Sequence, residues 1–439
     1  MPHYRTARAA RCQSSACAIV AHMEFDLRGG LHYLDNASTT FPKPAPVLQA
    51  MIDFAASAGV TPGRSTFDLA MVAELMIEGC RKALCDVFHG SRFDRVIFAH
   101  NATDALNLVI FGLLRSGGHV VSTRLEHNSV LRPIAHCVDD CGARATLVPF
   151  DGRGYVDPGD VKKAIEPDTR LVVINHASNV LGTVQPIAEI GAVCRAAGVL
   201  LCVDASQSAG VVPIDMQAMH LDIVAFTGHK SLLGPTGTGG LCVGEGVEIP
   251  HTRAGGTGVN SAARRHLEEY PFRLEYGTPN AMGIAGLRSG LAFIAEQGGC
   301  AAMWAREMEL AHSLSQALAQ TEGVTTYCAA DSIDHRVPVV PFNIDGMDPA
   351  EAGTRLDVDF DIACRTGLHC APLVHETLGT APAGSVRFSV GPFTTRADIE
   401  AGKDAVRALA EEVRSRQRGR ANAFPNPQLR HHGRQGVPR

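Results

Sequence analysis

The chain has 439 residues, of which 45% are hydrophobic and 19% are charged, so it is long enough to form two or three globular domains. Its formal net charge of −5 gives no basic excess of the kind that favours nucleic acid, and no long uninterrupted apolar run predicts a membrane-spanning helix. Its 13 cysteines are scattered and odd in number, which favours free thiols in a reducing cytoplasm over a disulfide framework.

Residues 1–30 begin with a basic stretch and continue with a short apolar one, and we expect them to form a loosely ordered leader. The apolar segment ACAIVA is too short for the core of a signal peptide, and no clear cleavage pattern follows it. Met23 is an equally suitable initiation site, so the sequence leaves open whether residues 1–22 are translated.

Strand-like and helix-like segments alternate through the first half of the chain. Short runs rich in β-branched residues predict five strands, namely RVIFAH, HVVSTRLEH, RLVVINHASN, VLLCVDASQ and DIVAFTGHK. Helical spacing of apolar residues predicts helices between them, as in TDALNLVIFGLL (103–114) and IAEIGAVCRAAG (187–198). This alternation favours a mostly parallel sheet covered by helices, in a large domain over residues 45–285.

The pattern changes after about residue 286. GIAGLRSGLAFIAEQGG and AAMWAREMELAHSLSQALAQ predict long helices, whereas VPVVPFNID, DFDIACR and SVRFSVG predict strands. RADIEAGKDAVRALAEEVRSR predicts a final amphipathic helix with Thr395 as its N-cap. We therefore expect a smaller α+β domain that combines residues 286–416 with residues 31–44, followed by a disordered tail over residues 417–439.

Polar residues follow all five predicted strands of the large domain. They are Asn101 to Thr103, Glu126 to Asn128, His176 to Asn179, Asp204 to Gln207, and Thr227 to Lys230. Any one group has an ordinary explanation, since a histidine after a strand is usually a loop residue and an aspartate is often a helix cap. Ligands of open parallel sheets bind outside the carboxyl ends of the strands, so five such groups in succession predict one shared site.

Lys230 and Asp204 together indicate the chemistry of this site. A lysine can form a Schiff base with an aldehyde, and an aspartate can hold a protonated pyridine nitrogen. Pyridoxal 5′-phosphate (PLP) requires this pair because its protonated ring is the electron sink. His127 is a candidate to stack on the ring. Thr103, at a predicted helix start, is a candidate to bind the phosphate, and Thr227 and His229 would donate to the same phosphate.

Two other ligand classes are not indicated. The segment GHKSLLGPTGTGG differs from a nucleotide-binding P-loop, because His229 separates its lysine from the preceding glycine and the other glycines follow the lysine. HCVDDC at residues 136–141 has no second pair at zinc-site spacing, so no metal site is predicted.

Eight motifs, in this order along the chain, resemble those of a known family. They are YLDNASTTFPKP, NATDALNL, EHNSVLRP, HASNVLGTVQPI, VDASQSAGVVPID, FTGHKSLLGPTG, EYGTPN and RTGLHCAP. Over residues 31–415 they resemble the class V branch of the fold-type I PLP-dependent enzymes, and most closely the SufS-like cysteine desulfurases with a short active-site loop. The resemblance implies a fold-type I transferase, in which a large domain with a mostly parallel seven-stranded sheet is joined to a smaller α+β C-terminal domain.

The resemblance also implies a set of cofactor-binding residues. The set is Ala102, Thr103, His127, Asp204, Gln207, Thr227, His229, Lys230 and Thr278. Lys230 would be the Schiff-base lysine, Asp204 the partner of the pyridine nitrogen, and Gln207 a contact of the ring hydroxyl. Thr278 would reach the phosphate of the neighbouring subunit, which implies a homodimer. Ala102 stands where a hydroxyl is common, which implies one fewer phosphate contact.

On the substrate side, the resemblance implies that Asn179 and Arg387 bind the amino acid and that Cys370 accepts its sulfur. Cys370 has Arg365 and His369 nearby, and positive charge near an exposed thiol favours the thiolate; the alternative is a structural loop cysteine. Arg387 lies within SVRFSV, where it would either point to water from an edge strand or bind a carboxylate in a buried position.

The resemblance therefore implies a cysteine desulfurase that converts L-cysteine to L-alanine, with Lys230 and Cys370 as catalytic residues. The persulfide on Cys370 would pass to a sulfur-acceptor protein, for iron–sulfur cluster assembly, tRNA thiolation or cofactor synthesis. A selenocysteine lyase and a class V aminotransferase are alternatives. Better-known members of the family have a histidine just before the position of Arg64, where this chain has Gly63, and such branches would differ in this part of the pocket. A non-catalytic scaffold would not need Lys230 and Cys370 together.

Overall fold

The computed structural model describes residues 30–63, 67–327 and 335–423. Nearly all of the expected leader, Arg64 and the tail beyond residue 423 lie outside the described residues, and so do the predictions made for them. The described part contains 13 strands: β1 His32–Tyr33, β2 Val96–Ala99, β3 Gly118–Thr123, β4 Ala143–Val148, β5 Thr169–Asn175, β6 Leu200–Asp204, β7 Ile223–Thr227, β8 Gly239–Val243, β9 Val324–Thr326, β10 Val339–Ile344, β11 Ile362–Ala363, β12 Arg365–Gly367 and β13 Ser385–Ser389.

The same residues form 11 α-helices. They are α1 Ala45–Ser57, α2 Asp68–Val87, α3 Ala102–Leu114, α4 Asn128–Cys141, α5 Pro158–Ala164, α6 Ile187–Ala197, α7 Ala281–Glu296, α8 Gly299–Ala319, α9 Pro349–Phe360, α10 Pro372–Leu378 and α11 Arg396–Ala423. The expected N-cap of α11 is confirmed, because Asp398 N donates to Thr395 Oγ1 at 3.2 Å and Thr395 N donates to Asp398 Oδ2 at 2.7 Å. Within the described ranges, no helix combines the length and the apolar character that crossing a membrane requires.

Seven strands form the large sheet, in the order β2-β8-β7-β6-β5-β3-β4. Strands β4, β3, β5, β6 and β7 pair in parallel, whereas β8 runs antiparallel between β7 and β2. The expected seven-stranded, mostly parallel sheet is therefore confirmed. The carboxyl ends of β2, β3, β5, β6 and β7 meet at one edge, where the polar groups identified from the sequence follow them.

The β-branched runs of the sequence did not identify β4 and β8. Strand β4 is at the edge of the sheet, and only its first and last residues, Ala143 and Val148, are buried. Strand β8 begins with Gly239 and Gly240, which are unusual in strands. A Cβ at Gly240 would lie 1.9 Å from the carbonyl oxygen of Ile97, so the close approach of β2 to β8 requires glycine.

Two apolar cores cover the two faces of the large sheet. In β5, Val172 and Ile174 pack into the core that includes residues of α2, α6 and α7, whereas Leu171 and Val173 pack into the core that includes α3 and α4. All four side chains are fully buried. Burial of an aliphatic side chain of this size contributes about 1.5–3 kcal/mol, so the alternation fixes the orientation of the strand.

A second sheet, in the order β12-β13-β10-β9, is antiparallel. Phe342 and Phe388 lie in its core with ring centroids 4.9 Å apart, among residues of α8, α9 and α11. Leu34 of the N-terminal segment is fully buried in this core, and β1 pairs in parallel with β11. The domain boundaries stay a prediction; residue 286, expected to be the first of the small domain, lies inside α7.

The expectation of a disordered tail from residue 417 is wrong for its first seven residues, because α11 continues to Ala423. Gln, Arg and Ala, which dominate this stretch, have favourable helix propensities. Arg416 also forms an ion pair with Glu412, one turn earlier on the same helix. The prediction of disorder rested on the Pro- and Gly-rich composition of residues 417–439 as a whole, and that average does not represent the helical residues at the start of the segment.

Candidate active site

The polar strand ends and the C-terminal part of the chain line one cavity of about 280 Å³. Its walls include every site residue predicted from the sequence except Thr278, namely Ala102, Thr103, His127, Asn179, Asp204, Gln207, Thr227, His229, Lys230, Cys370 and Arg387. The structure therefore brings the predicted cofactor residues and the predicted substrate residues together.

Lys230 lies three residues beyond the end of β7, in a turn whose backbone is firmly held. A Cβ at Gly228 would lie 2.1 Å from Thr238 Oγ1, so only glycine fits at the start of this turn. The carbonyl oxygen of His229 accepts a hydrogen bond from Thr39 Oγ1 at 3.0 Å. The backbone next to the lysine is thus fixed from two sides.

Burial lowers the pKa of Lys230 to about 8, while the nearby charge of Asp204 acts in the opposite direction. The amine is therefore neutral, and nucleophilic, in a larger fraction of molecules at neutral pH than that of an ordinary lysine. This is the state that attack on an aldehyde requires.

Asp204 ends β6 and is 5% exposed. Its Oδ1 accepts a hydrogen bond from Ser206 N at 2.9 Å. No group in the described part of the chain donates to Oδ2, although the carboxylate lies in the cavity wall. One carboxylate oxygen is thus available to a ligand, and the protonated nitrogen of a pyridine ring fits it.

Glu126 lies between β3 and β5, next to the cavity-lining Asn175, and is fully buried. Its Oε1 accepts hydrogen bonds from Thr123 Oγ1 at 2.6 Å and from Asn175 N at 3.1 Å. Its Oε2 and Asn175 Oδ1 are buried acceptors to which no described group donates. Burial raises the pKa of Glu126 to about 8, and the charge of Asp204 acts in the same direction, so the carboxyl holds a proton at neutral pH.

His127 occupies the N-cap position of α4. Its Nδ1 accepts a hydrogen bond from Ser129 N at 3.0 Å, which leaves the ring proton on Nε2. Burial lowers the pKa of His127 to about 4, so the ring is neutral. A neutral, oriented imidazole in the cavity wall suits the expected stacking on an aromatic ring.

The start of α3 provides the anion-binding part of the cavity. The backbone amides of Ala102 and Thr103 are at the first two positions of the helix, where N–H groups lack intrahelical acceptors. Thr103 Oγ1 lies 2.7 Å from Ser129 Oγ, and the buried Thr227 Oγ1 has no hydrogen-bond partner in the described part. A helix N-terminus with an unpaired hydroxyl fits a phosphate, so the residues present fit PLP at its phosphate as well as at its ring nitrogen.

Cys370 lies in a turn between β12 and α10. His369 and Cys370 have φ angles of 49° and 57°, which residues other than glycine rarely adopt. Two hydrogen bonds hold this turn against the large domain, from Asn128 N to the Cys370 carbonyl oxygen and from Asn179 Nδ2 to the His369 carbonyl oxygen, both at 2.7 Å. The backbone that carries the thiol is therefore fixed, and Cys370 lies in the wall of the same cavity as Lys230.

Arg387 lies on β13, between β12 and β10, and is 2% exposed, so the edge-strand alternative is wrong. Its Nη1 donates to the Asn179 carbonyl oxygen at 3.0 Å, and its Nη2 donates to Asp35 Oδ1 at 2.8 Å and to Ser38 Oγ at 2.9 Å. A buried guanidinium held in this way is suited to bind a carboxylate.

Thr278 is exposed and lies in the wall of a different cavity, of about 390 Å³. It is therefore not part of the site that this chain forms alone. Gly63 lines the same second cavity, and Arg64, which follows it, lies outside the described residues.

The sequence did not assign roles to Asp35, Ser38, Glu126 or Ser129. Ser38 lies in the cavity wall, and Asp35 reaches Arg387 from a position 352 residues earlier in the chain. Both belong to the motif YLDNASTTFPKP, whose run of polar residues after a short strand was the available signal.

Comparison with known proteins identifies the family. The Aminotransferase class-V family profile matches residues 32–401. A probable cysteine desulfurase from Methanothermobacter thermautotrophicus is 33% identical over 374 residues, which are 84% of this chain and 92% of that protein. The apo structure of a cysteine desulfurase from Thermococcus onnurineus has a TM-score of 0.81 at 30% identity, covering 88% of this chain and 96% of that one. A cysteine desulfurase structure from Escherichia coli has a TM-score of 0.79 at 26% identity, covering 91% and 98%.

These matches extend over most of this chain and most of each relative. They confirm the expected fold-type I architecture, whereas the narrower SufS-like assignment stays a prediction. The chain belongs to the class-V aminotransferase family of PLP-dependent enzymes.

Proposed function

We propose that this chain is a PLP-dependent cysteine desulfurase, which converts L-cysteine to L-alanine and keeps the sulfur as a persulfide on Cys370. The observation that carries the proposal is the presence of Lys230, Asp204 and Cys370 in the walls of one cavity. An aminotransferase needs the lysine and the aspartate but has no use for a thiol there. The names of the relatives, which are cysteine desulfurases, support the same activity.

When bound, PLP supplies an aldehyde that captures amines and a protonated ring that withdraws electrons from the Cα atom of an amino acid. Lys230 would hold its aldehyde end and Asp204 its ring nitrogen. The start of α3, with Thr103 and Thr227, would hold its phosphate. His127 and Gln207 would contact the ring.

Lys230 would also move the proton of the substrate. Its pKa of about 8 makes the neutral amine accessible near neutral pH, and the neutral amine is the form that can accept the Cα proton. Arg387 would orient the substrate by its carboxylate. Asn179, whose carbonyl oxygen and side-chain amide already contact Arg387 and the Cys370 turn, would align the two parts of the site.

Cys370 would take the sulfur. Its thiolate sulfur would attack the substrate sulfur, so that an S–S bond forms while the carbon–sulfur bond breaks, and protonation of the carbon fragment would lead to alanine. The persulfide must leave Cys370 before another turnover, which implies a sulfur-acceptor protein. A cytoplasmic location suits this thiol chemistry, and the ten cysteines in the described part are all unbridged.

We also propose a homodimer in which Thr278 contributes to the site of the partner. Thr278 is exposed and lies away from the Lys230 cavity of its own chain. The first half of α2 exposes four large apolar side chains, Leu69, Met71, Val72 and Leu75. Such a concentration of exposed apolar surface is typical of a protein interface, and a second copy of the chain would cover it.

The test is to incubate the purified protein with PLP, L-cysteine and a reductant, and to measure alanine and sulfide. Wild type should form both in equal amounts, Cys370→Ala should lose sulfide release, and Lys230→Ala should lose the yellow, borohydride-reducible adduct with PLP. Sulfide release by Cys370→Ala at the wild-type rate would refute the persulfide role. Amino transfer to a keto acid by Cys370→Ala would favour the aminotransferase, and a much higher kcat/KM for L-selenocysteine would favour the lyase.

A further inference from the structure

The hydroxyl group of Ser38 joins three charged side chains in and behind the cavity wall. Ser38 Oγ donates to Asp35 Oδ1 at 2.7 Å and accepts hydrogen bonds from Arg387 Nη2 at 2.9 Å and from Arg365 Nη1 at 3.0 Å. A serine hydroxyl has one donor and two acceptor lone pairs, so its hydrogen-bonding capacity is fully used. The direction of each bond is therefore determined, because neither guanidinium can accept a proton from the hydroxyl.

The two arginines depend on Ser38 to different degrees. Arg387 is buried and has two other partners, the Asp35 carboxylate and the Asn179 carbonyl oxygen. Arg365 is exposed, and Ser38 Oγ is its only side-chain hydrogen-bond partner among the described residues. A long exposed arginine loses much rotamer freedom when it is fixed, so Arg365 needs Ser38 in order to remain over the cavity.

We propose that Ser38 is a positioning residue that orients Arg365 beside Arg387, and that it thereby sets the affinity of the site for the carboxylate of the substrate. The charges match this role. Two guanidinium groups and the carboxylate of Asp35 leave one net positive charge, which suits a ligand with a single carboxylate. The identity of the ligand as an α-amino acid rests on the proposed function, whereas the role of Ser38 rests on the hydrogen bonds.

Removal of the Ser38 hydroxyl should weaken carboxylate binding through Arg365 alone. In Ser38→Ala the direct contact between Arg387 and Asp35 remains, and so does the contact between Arg387 and Asn179. Arg365 loses the one side-chain hydrogen bond that it forms within the described ranges. If Ser38 only stabilised this region in general, Ser38→Ala would weaken carboxylate binding equally in wild type and in Arg365→Ala.

The experiment compares the holoenzymes of wild type, Ser38→Ala, Ser38→Thr, Arg365→Ala and the double variant Ser38→Ala/Arg365→Ala. The dissociation constant for L-alanine is measured from the absorbance of the bound cofactor, and kcat and KM are measured with L-cysteine. L-Alanine contains no sulfur, so its binding does not depend on the sulfur chemistry. We expect Ser38→Ala to weaken L-alanine binding and to raise KM about tenfold, as loss of a hydrogen bond to a charged group does, with a much smaller change in kcat.

The hydroxyl of Ser38→Thr should restore the wild-type values, and the double variant should bind L-alanine as weakly as Arg365→Ala does. Wild-type affinity in Ser38→Ala would overturn the proposal, as would additional weakening by Ser38→Ala in the Arg365→Ala background. If Ser38→Ala does not fold, Ser38→Cys, which has a weak donor of similar size, is expected to show the same loss. If wild type binds L-alanine but releases no sulfide, and Ser38→Ala binds L-alanine about tenfold more weakly than wild type, the desulfurase activity is refuted and the role of Ser38 is supported.

Discussion

Replacement of the buried Glu126 by glutamine should make the stability of the protein less sensitive to pH. The pKa of a glutamate is 4.5 in the absence of the fold, and burial raises the pKa of Glu126 to about 8 in the folded protein. Between these two values the folded chain therefore binds one more proton than the unfolded chain. The stability that this carboxyl contributes is fully present below about pH 4.5 and is lost as the pH rises through about 8.

The size of the effect follows from the shift. One extra bound proton changes the free energy of unfolding by about 1.4 kcal/mol per pH unit, so wild type should lose about 3 kcal/mol from this group between about pH 5 and pH 7. Glutamine does not titrate, and its amide can donate a hydrogen bond, as the protonated acid can. Glu126→Gln should therefore become more stable than wild type as the pH rises.

The measurement is urea unfolding of the apoenzymes of wild type and Glu126→Gln at about pH 5, 6 and 7. Glu411→Gln, at an exposed position on α11, is the matched control and should follow wild type at each pH. A difference between wild type and Glu126→Gln that stays constant across this range would show that Glu126 is ionised in the folded protein, and would refute the reasoning.

Three further predictions concern the cofactor, the core and a helix end. The rate of PLP uptake by the apoenzyme should rise with pH and level off above about 8, because burial lowers the pKa of Lys230 to about 8 and only its neutral amine attacks the aldehyde; a flat profile would contradict this. Phe226→Ala should lower the free energy of unfolding by about 3–5 kcal/mol in urea, because this ring on β7 is fully buried. Thr395→Ala should cost about 1 kcal/mol in thermal unfolding, because it removes the acceptor for Asp398 N at the start of α11; an unchanged transition would mean that water replaces the cap.

The sequence was sufficient to predict that the proposed cofactor residues lie together, because that side of the cavity is built from local features. Asp204 is the last residue of one buried strand and Lys230 lies shortly after the next, and parallel strands bring their carboxyl ends to one edge. The lysine, the aspartate and the helix start at Thr103 could therefore be placed together without knowledge of the strand order. The roles of individual residues then depended on the resemblance to the family.

The substrate side depends on contacts that no local pattern encodes. Arg387 meets Asp35 across 352 residues of sequence, and Arg365 meets Ser38 across 327. These contacts exist because β1 pairs with β11 and the following segment crosses beside β13, where Asp35 bridges to Ser389. A serine in a polar motif gives no indication that its hydroxyl serves two arginines, so Ser38 could be identified only from the structure.

The same burial that makes Lys230 reactive also limits how many charges the site contains. Burial keeps four titratable side chains in or next to the cavity wall neutral at pH 7, because it raises the pKa of Glu126 to about 8, lowers the pKa values of His127 and His229 to about 4, and lowers the pKa of His369 to about 2. Asp204 is then the anion left to stabilise a protonated pyridine nitrogen at this end of the cavity. An ionised Glu126 would add a second negative charge there and raise the pKa of Lys230, which would oppose the formation of the neutral amine. A proton held on this buried carboxyl at neutral pH thus favours the chemistry of the other groups, and it explains why a glutamate can lie next to a site that requires a single negative charge.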